Sequence, residues 1–378
     1  MKVQVLQENL QRGLGIVGRA VATRTTLPIT SNVLVATDRG RLKLAATDLD
    51  ISISTWVGAR IDEDGATTIP SRLITDFISS LPPATVSLEV PERGRQVKLE
   101  CARNESTINT MDAEDFPRMP TIAEGVSIEL DPKLLKRAIE RVEFAAASDE
   151  SRPVLTGVEV KTEGARLTFA AADGFRLAVA DITLPAPAAE AVAAIVPARA
   201  LREVARLVGE SSEPVTMRLN PARTQVMFEI GENEIHLVAQ LIQGTFPNYA
   251  QIIPGEWTTR CVVDVDEFKR EVRIAAIFAR DGAGIVRLQI QPGAGMPGKL
   301  TITARAEEIG ENQGEVDARV EGDAGRIAFN SRYLQDVLNV LSGEVALEMT
   351  TPSNQGVFRP VSEADNVHVV MPMFVQWS

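Results

Sequence analysis

The sequence predicts an α+β fold of three repeated units, each with two helices backed by antiparallel sheets. Three observations predict it. One order of elements recurs with a period of about 125 residues. Within each period, apolar residues at helical spacing alternate with short strands of period two. Two helices per period are too few to cover both faces of a sheet, so they should share one.

In the first copy, Leu6, Leu10, Leu14, Val17 and Val21 stripe a helix over 6–22. An alternating strand at 33–35, the hairpin RLKLAATDLDISIS and a second helix over 71–80 follow. The second copy opens with Leu134, Leu135, Ile139 and Val142 on a helix over 131–146. VLTGVEV, the hairpin RLTFAAADGFRLAVA and a helix over 198–208 come next. Asp173-Gly174 marks that hairpin's turn, because glycine accepts the positive φ of a tight turn. The third copy runs from Val265, Phe268, Val272, Ala275 and Ile277 through IVRLQIQ and KLTITARAEE to a helix over 331–341. About eight short strands per copy are expected. QPGAGMPG at 291–298 and LPAPAAE at 184–190 read as exposed loops.

Anchor residues fix the register of the repeat. Asp48 and Asp173 are 125 apart in matching AATD and AAAD contexts, Pro70 and Pro197 are 127 apart before the second helix, and Phe116-Pro117 and Phe246-Pro247 are 130 apart near the close of a copy. The third copy diverges most, with Arg305 where an aspartate is expected. Boundaries fall in TIAEGV and IIPGEW, giving units 1–125, 126–255 and 256–378.

Composition excludes several function classes. Among 378 residues, 39 are Lys or Arg and 51 are Asp or Glu, for a net charge of −12, which argues against a surface that clings everywhere to nucleic acid or acidic lipid. No apolar run approaches the ~20 residues of a membrane span, and MKVQVLQENLQRG lacks a signal peptide's apolar core. A cytoplasmic protein with no membrane partner is expected. Cys101, Cys261, His236 and His368 lie far apart, without metal-ligand or disulfide spacing, so no metal and no cofactor is expected and the cysteines read as buried thiols.

The charge is uneven. The segments 6–24, 71–81, 131–147, 197–209, 264–280 and 330–342 hold 16 basic and 11 acidic residues, or +5, leaving −17 for the rest. Solvated helix faces alone account for such a bias; helices lining one shared surface would give it a function. Aromatic content of 4% provides no stacking platform for single strands, so the contact such a face offers is to a duplex backbone, independent of sequence.

Six motifs in order carry a resemblance along the whole chain: TLPI at 26–29, AATDLD at 45–50, ADGFRLA at 172–178, IVPARA at 195–200, FPNYAQIIP at 246–254 and VVMPM at 369–373. With them the chain resembles the bacterial DNA polymerase III beta subunit, the replicative sliding clamp. The resemblance implies a non-catalytic processivity factor: a head-to-tail homodimer whose six clamp domains close a ring, helices inside and sheets outside. Twelve helices ~9 Å apart leave a hole of ~24 Å, enough for a duplex with water around it. It implies as partners double-stranded DNA without sequence specificity, the DNA polymerase III alpha subunit, the clamp loader, and other polymerases and repair proteins that carry short clamp-binding peptides.

Site residues follow by matching position. The family's peptide pocket maps onto Leu155, Gly174, Phe175, Arg176, Leu177, Pro247, Ile252, Val369 and Met371, with Arg152, Asn330, Tyr333, Pro372 and Met373 in the neighbouring groove. Methionines adapt to different side chains, which suits one pocket serving many partners. Leu155, Leu177 and Val369 also read as plain core. Phe175 stands where relatives commonly carry histidine, Ala172 where they carry threonine, and Pro153-Val154 replace two aromatics, so a more apolar pocket is expected. A peptide with a glutamine followed by apolar residues should bind at roughly micromolar affinity. Phe374, Val375, Gln376, Trp377 and Ser378 either fray or fold back into a groove.

For DNA, Arg24 matches a family contact, and Arg72, Arg137, Arg141, Arg199, Arg202 and Arg206 are lining candidates from charge and helix position. Asp149 replaces a neutral DNA-contacting side chain. The dimer seam maps onto Arg103 and Ile108 against Ile277, Phe278, Glu307 and Glu308. The alternatives are a hydrolase using Asp48 and Asp173 as acid and base, and a single-strand binder. The shared repeat position of the two aspartates favours a turn role instead.

Overall fold

The computed structural model describes every residue apart from 24, 92–94, 280–283, 294–296, 307, 309, 364 and 378, and the side chains of 232 and 233. Arg24, Glu307 and part of the 291–298 loop therefore lie outside the described residues. The first copy contains β1 (Lys2–Leu6), α1 (Gln7–Val17), β2 (Asn32–Asp38), β3 (Arg41–Thr47), β4 (Ile51–Val57), β5 (Ala59–Glu63), β6 (Ala66–Pro70), α2 (Ser71–Ser80), β7 (Thr85–Glu89), β8 (Gln96–Cys101) and β9 (Asn104–Asn109). The second contains β10 (Val126–Leu130), α3 (Pro132–Val142), β11 (Gly157–Glu163), β12 (Arg166–Ala172), β13 (Arg176–Thr183), β14 (Ala193–Pro197), α4 (Ala198–Val208), β15 (Val215–Leu219), β16 (Gln225–Ile230), a one-turn α5 (Gly231–Glu234) and β17 (Ile235–Gln240). The third contains β18 (Thr259–Asp264), α6 (Val265–Ala279), β19 (Ile285–Gln291), β20 (Gly298–Ala306), β21 (Gly310–Gly322), β22 (Gly325–Asn330), α7 (Ser331–Asn339), β23 (Glu344–Met349), β24 (Gly356–Pro360) and β25 (Asn366–Val370).

Two helices are shorter than the apolar stripes suggest. α1 ends at Val17 and α3 at Val142, each followed by a single 3-10 turn, Gly18–Ala20 and Glu143–Ala145. The stripe continues through that turn because Ala20 and Ala145 are buried, so periodicity alone reads past the helix end. Pro70 and Pro197 end β6 and β14 directly before α2 and α4, as the anchors require. Phe116 and Phe246 are both buried.

The chain packs as two compact units, Met1–Lys136 with Glu203–Leu241, and Arg137–Arg202 with Ile242–Ser378. In the first unit, Leu10, Leu14 and Val17 of α1 are buried, and α1 packs on β3 and β4. Gly13 allows the close approach: a Cβ there would lie 2.6 Å from Leu44 Cδ1. This unit holds a five-stranded sheet, β5-β1-β7-β8-β9, and an eight-stranded one, β10-β15-β16-β17-β4-β3-β2-β6. In the second unit, Phe268, Val272 and Ala275 of α6 and Leu334, Val337 and Leu338 of α7 bury against Leu288, Ile290, Leu300 and Ile302. Its twelve strands run β14-β11-β12-β13-β25-β24-β23-β18-β21-β20-β19-β22.

The middle copy is thus divided between the units. Its β15–β17 continue the first copy's sheet through the ladder β17–β4, with Ala239 opposite Ile51. Its β11–β14 continue the third copy's sheet through β13–β25, with Arg176 opposite Val370. Both joints have one plan: the strand after a copy's aspartate turn pairs with the last strand of the following copy. Among the described residues no helix is long and apolar enough to cross a membrane. Cys101 and Cys261 are buried free thiols, and burial pushes the Cys261 thiol up to about 12.

Candidate functional site

The turn between β12 and β13 builds the site. Asp173 N–H donates to Arg176 O, which leaves Gly174 and Phe175 at the tip, and Gly174 has a φ of +94° that a side chain would resist. Asp173 Oδ1 accepts the N–H groups of Phe175 and Arg176 at 2.8 and 3.0 Å, and Oδ2 accepts Arg176 Nε at 3.0 Å. Arg176 is almost buried. Its Nη1 pairs with Asp336 of α7, and its guanidinium lies 4.7 Å from the Tyr333 ring centroid and 5.3 Å from that of Phe144. Two carboxylates and two aromatic faces therefore replace the water this cation loses.

Beside this knot lies a cavity of about 340 Å³ lined by Ala172, Gly174, Arg176, Leu177, Ile252, Gln355, Val369 and Met371. Beneath it Leu155, Leu177 and Val369 share one apolar cluster with Ala170, Val179, Ile195 and Phe246, so these three are core residues, two of which also line the cavity. Six of the pocket residues expected from sequence line the cavity directly. Around them, Arg152 Nη2 donates to Asp173 O, Phe175 stacks on Tyr333 at 6.2 Å, and Asn330 caps α7 by accepting Arg332 N–H. Met371 N–H donates to Phe175 O, and Met373 N–H to Ala328 O, with Pro372 between them. Pro247 is exposed, next to buried Phe246. The reading from sequence missed Gln355, whose Nε2 donates to Ile252 O at 2.8 Å across the cavity mouth. A lone glutamine in a Ser-Asn-Gln turn gives no signal in sequence. The segment after Met373 does not enter this cavity: Gln376 and Trp377 line a different one, with Arg287 and Arg305.

The helix cations are more committed than their count suggests. Arg141 is buried and, with Arg137, ion-paired to Glu363, and burial holds its guanidinium down at about 10. This corrects its expected place on an open lining, since its position on α3 faces inward. Arg202 pairs with Glu143, Arg206 with buried Glu203, and Arg72 with Asp76, while Arg199 is exposed on α4 and has contacts of its own. Asp149 accepts Ser151 N–H and Oγ–H, which hold its carboxyl below the usual range.

Of the seam residues, Ile277 is 60% exposed, Phe278 is half-buried against the third copy's core, and Arg103 and Glu308 are exposed. Ile108 departs from expectation. It is buried inside the first unit, opposite Val97 in the β8–β9 ladder. Two residues missed from sequence are more telling. On α2, Leu73 is 51% exposed and Phe77 half-exposed, whereas the equivalent Ala200 and Val204 of α4 are buried. Likewise Phe144 packs on the third copy's core, while Ile277, in its place on α6, is bare.

Repeated α+β copies joined ladder to ladder, with an apolar groove at a joint and both aspartate carboxylates bound to turn N–H groups, define a modular binding protein. The N-terminal, central and C-terminal domains of the DNA polymerase III beta subunit match residues 1–120, 129–248 and 250–374. The beta sliding clamp of Synechocystis sp. is 32% identical over 394 residues, covering 99% of both chains, and that of Caulobacter vibrioides is 31% identical over 381, covering 99% of this chain and 100% of its own. The solved DNA polymerase sliding clamp of Bacillus subtilis superposes with a TM-score of 0.93 at 27% identity over 100% of both chains. That of Pseudomonas aeruginosa gives 0.90 at 28%, over 99% of this chain and 100% of its own. The chain belongs to the DNA polymerase III beta-subunit family, the DNA sliding clamps.

Proposed function

We propose that two copies of this chain join head to tail into a closed ring that encircles duplex DNA in the cytoplasm and tethers DNA-processing proteins without catalysing a reaction itself. The domains are 1–125, 126–255 and 256–378. One observation carries the dimer. After both internal joints are made, one half of a joint is left over at each end of the series. β9 is the outermost strand of its sheet, and among the described residues no strand pairs with the outer side of Gly310–Ala318 in β21. Repeating the joint between chains sets β21 against β9 of a second copy and Ile277 and Phe278 against Leu73 and Phe77. Arg103 and Glu308 lie at the rim, where exposed ion pairs contribute only ~0–1 kcal/mol each, so the apolar contacts dominate.

Encirclement explains how an acidic protein holds DNA. A ring needs only a weakly positive lining, supplied by Arg24, Arg72, Arg137, Arg199, Arg202 and Arg206, most of them already sharing charge with an acid. The apolar groove captures short peptides of the DNA polymerase III alpha subunit, the clamp loader, and other polymerases and repair proteins. Its mouth is set by Phe175, Tyr333, Met371 and Met373, and its floor by Leu177 and Val369. The test is topological. Protein loaded on nicked circular duplex should stay bound at salt that strips ordinary cationic contacts and should run off once the circle is cut; equal loss from both forms refutes encirclement. Particle images should show six lobes.

A further inference from the structure

The segment that follows β25 forms one rim of the groove and then continues along the outermost strand of the twelve-stranded sheet. Met371 N–H donates to Phe175 O at 2.8 Å, and two residues on Met373 N–H donates to Ala328 O in β22 at 2.7 Å. Trp377 then lies against the same strand, its ring centroid 5.2 Å from the Arg326 guanidinium. Gln376 and Trp377 close one side of a cavity of about 190 Å³ whose other walls include Arg287, Gln289, Thr303 and Arg305. Phe374, between the two attachments, is 86% exposed.

We propose that Trp377, gripped by Arg326, is a positioning residue for peptide capture. This rests on the groove reading above. The rim is then a strap fastened at both ends: at the Phe175 turn on one side of the groove, and on β22 beyond it. Chains after a last strand normally fray, and a frayed rim would leave Met371 in its binding position only part of the time. Apparent affinity falls in proportion to the fraction of molecules in the competent arrangement, so fastening the strap raises affinity without touching the peptide. A cation against an indole suits this work, because it holds a large ring at an exposed edge where packing alone is one-sided. It also covers a strand edge that would otherwise offer free N–H and C=O groups.

The test uses the full-length protein and a peptide with a glutamine followed by apolar residues, titrated by calorimetry. Trp377→Ala should weaken binding about three- to tenfold, Trp377→Phe should restore most of it, and Arg326→Met should match the alanine variant. Combining Trp377→Ala with Arg326→Met should cost no more than either alone, because both undo one contact. Hydrogen exchange at the Met373 amide should speed up in Trp377→Ala and slow again with peptide bound. Wild-type affinity in Trp377→Ala, beside a Met371→Asp variant that no longer binds, overturns the strap and leaves the groove standing. Wild-type affinity in Met371→Asp overturns the groove itself.

Discussion

Asp48 and Asp173 do the same job 125 residues apart. Asp48 Oδ1 accepts the N–H groups of Asp50 and Ile51 at 3.1 and 2.8 Å, and Asp173 Oδ1 accepts those of Phe175 and Arg176 at 2.8 and 3.0 Å. A short carboxylate replacing a backbone acceptor is a turn-forming device, the role that the shared repeat position of the pair predicts. With its second oxygen Asp173 also holds Arg176.

Replacing each aspartate should separate the two jobs. Asp48→Ala loses turn bonds and should cost about 1–2 kcal/mol in chemical denaturation. Asp173→Ala also strips one carboxylate from a nearly buried arginine and should cost about 3 kcal/mol or more, with loss of peptide binding in calorimetry. Equal costs and intact binding would show that Arg176 does not depend on its neighbour.

The groove is tested at two of the residues that line it, Met371 and Gln355. Met371→Asp puts an unpaired charge into an apolar cavity and should abolish binding of a glutamine-plus-apolar peptide. Gln355→Leu removes only the bond to Ile252 O and should weaken binding by no more than about tenfold.

Surfaces left bare at the two ends of the series should determine assembly. Leu73→Asp or Ile277→Asp should shift the protein from dimer to monomer in analytical ultracentrifugation, with little change in melting of the monomer, since both side chains are exposed. A dimer that survives both changes at micromolar concentration contradicts the proposed joint.

His368 makes stability depend on pH. It is wholly buried on β25 and stacked on Phe144; burial, with Arg141 adding to the effect, lowers its pKa to about 3. The unfolded chain takes up a proton near pH 6.5, but the folded one resists until about pH 3. Stability from this group is therefore complete above pH 6.5 and falls by up to ~1.4 kcal/mol per pH unit as pH drops towards 3. His368→Leu should flatten that slope in denaturation curves at pH 7, 5.5 and 4.5; an unchanged slope would place its origin elsewhere.

The repeat was legible because buried side chains enforce it: Leu10 and Leu135, or Phe268 and Leu334, must recur where sheets need covering. Turn chemistry was legible for a similar reason, as Asp173-Gly174 and Pro70 admit few conformations. What stayed hidden depends on what each copy meets next. Leu73 resembles any buried helix leucine, and only its bareness, where the equivalent Ala200 of the next copy is buried, shows a missing neighbour. Arg141 resembles any surface arginine until Glu363, 222 residues away, is found against it. Residue type predicts the environment a side chain needs but not which distant partner supplies it.

Because the middle copy lends β17 to one neighbour's sheet and β13 to the other's, it has no border at which it can be cut cleanly. Excised by itself, it would present two long hydrogen-bonding edges where β4 and β25 had been, the template on which chains stack into insoluble aggregates. Three domains in evolution, the chain is a single object to anyone trying to express it in pieces.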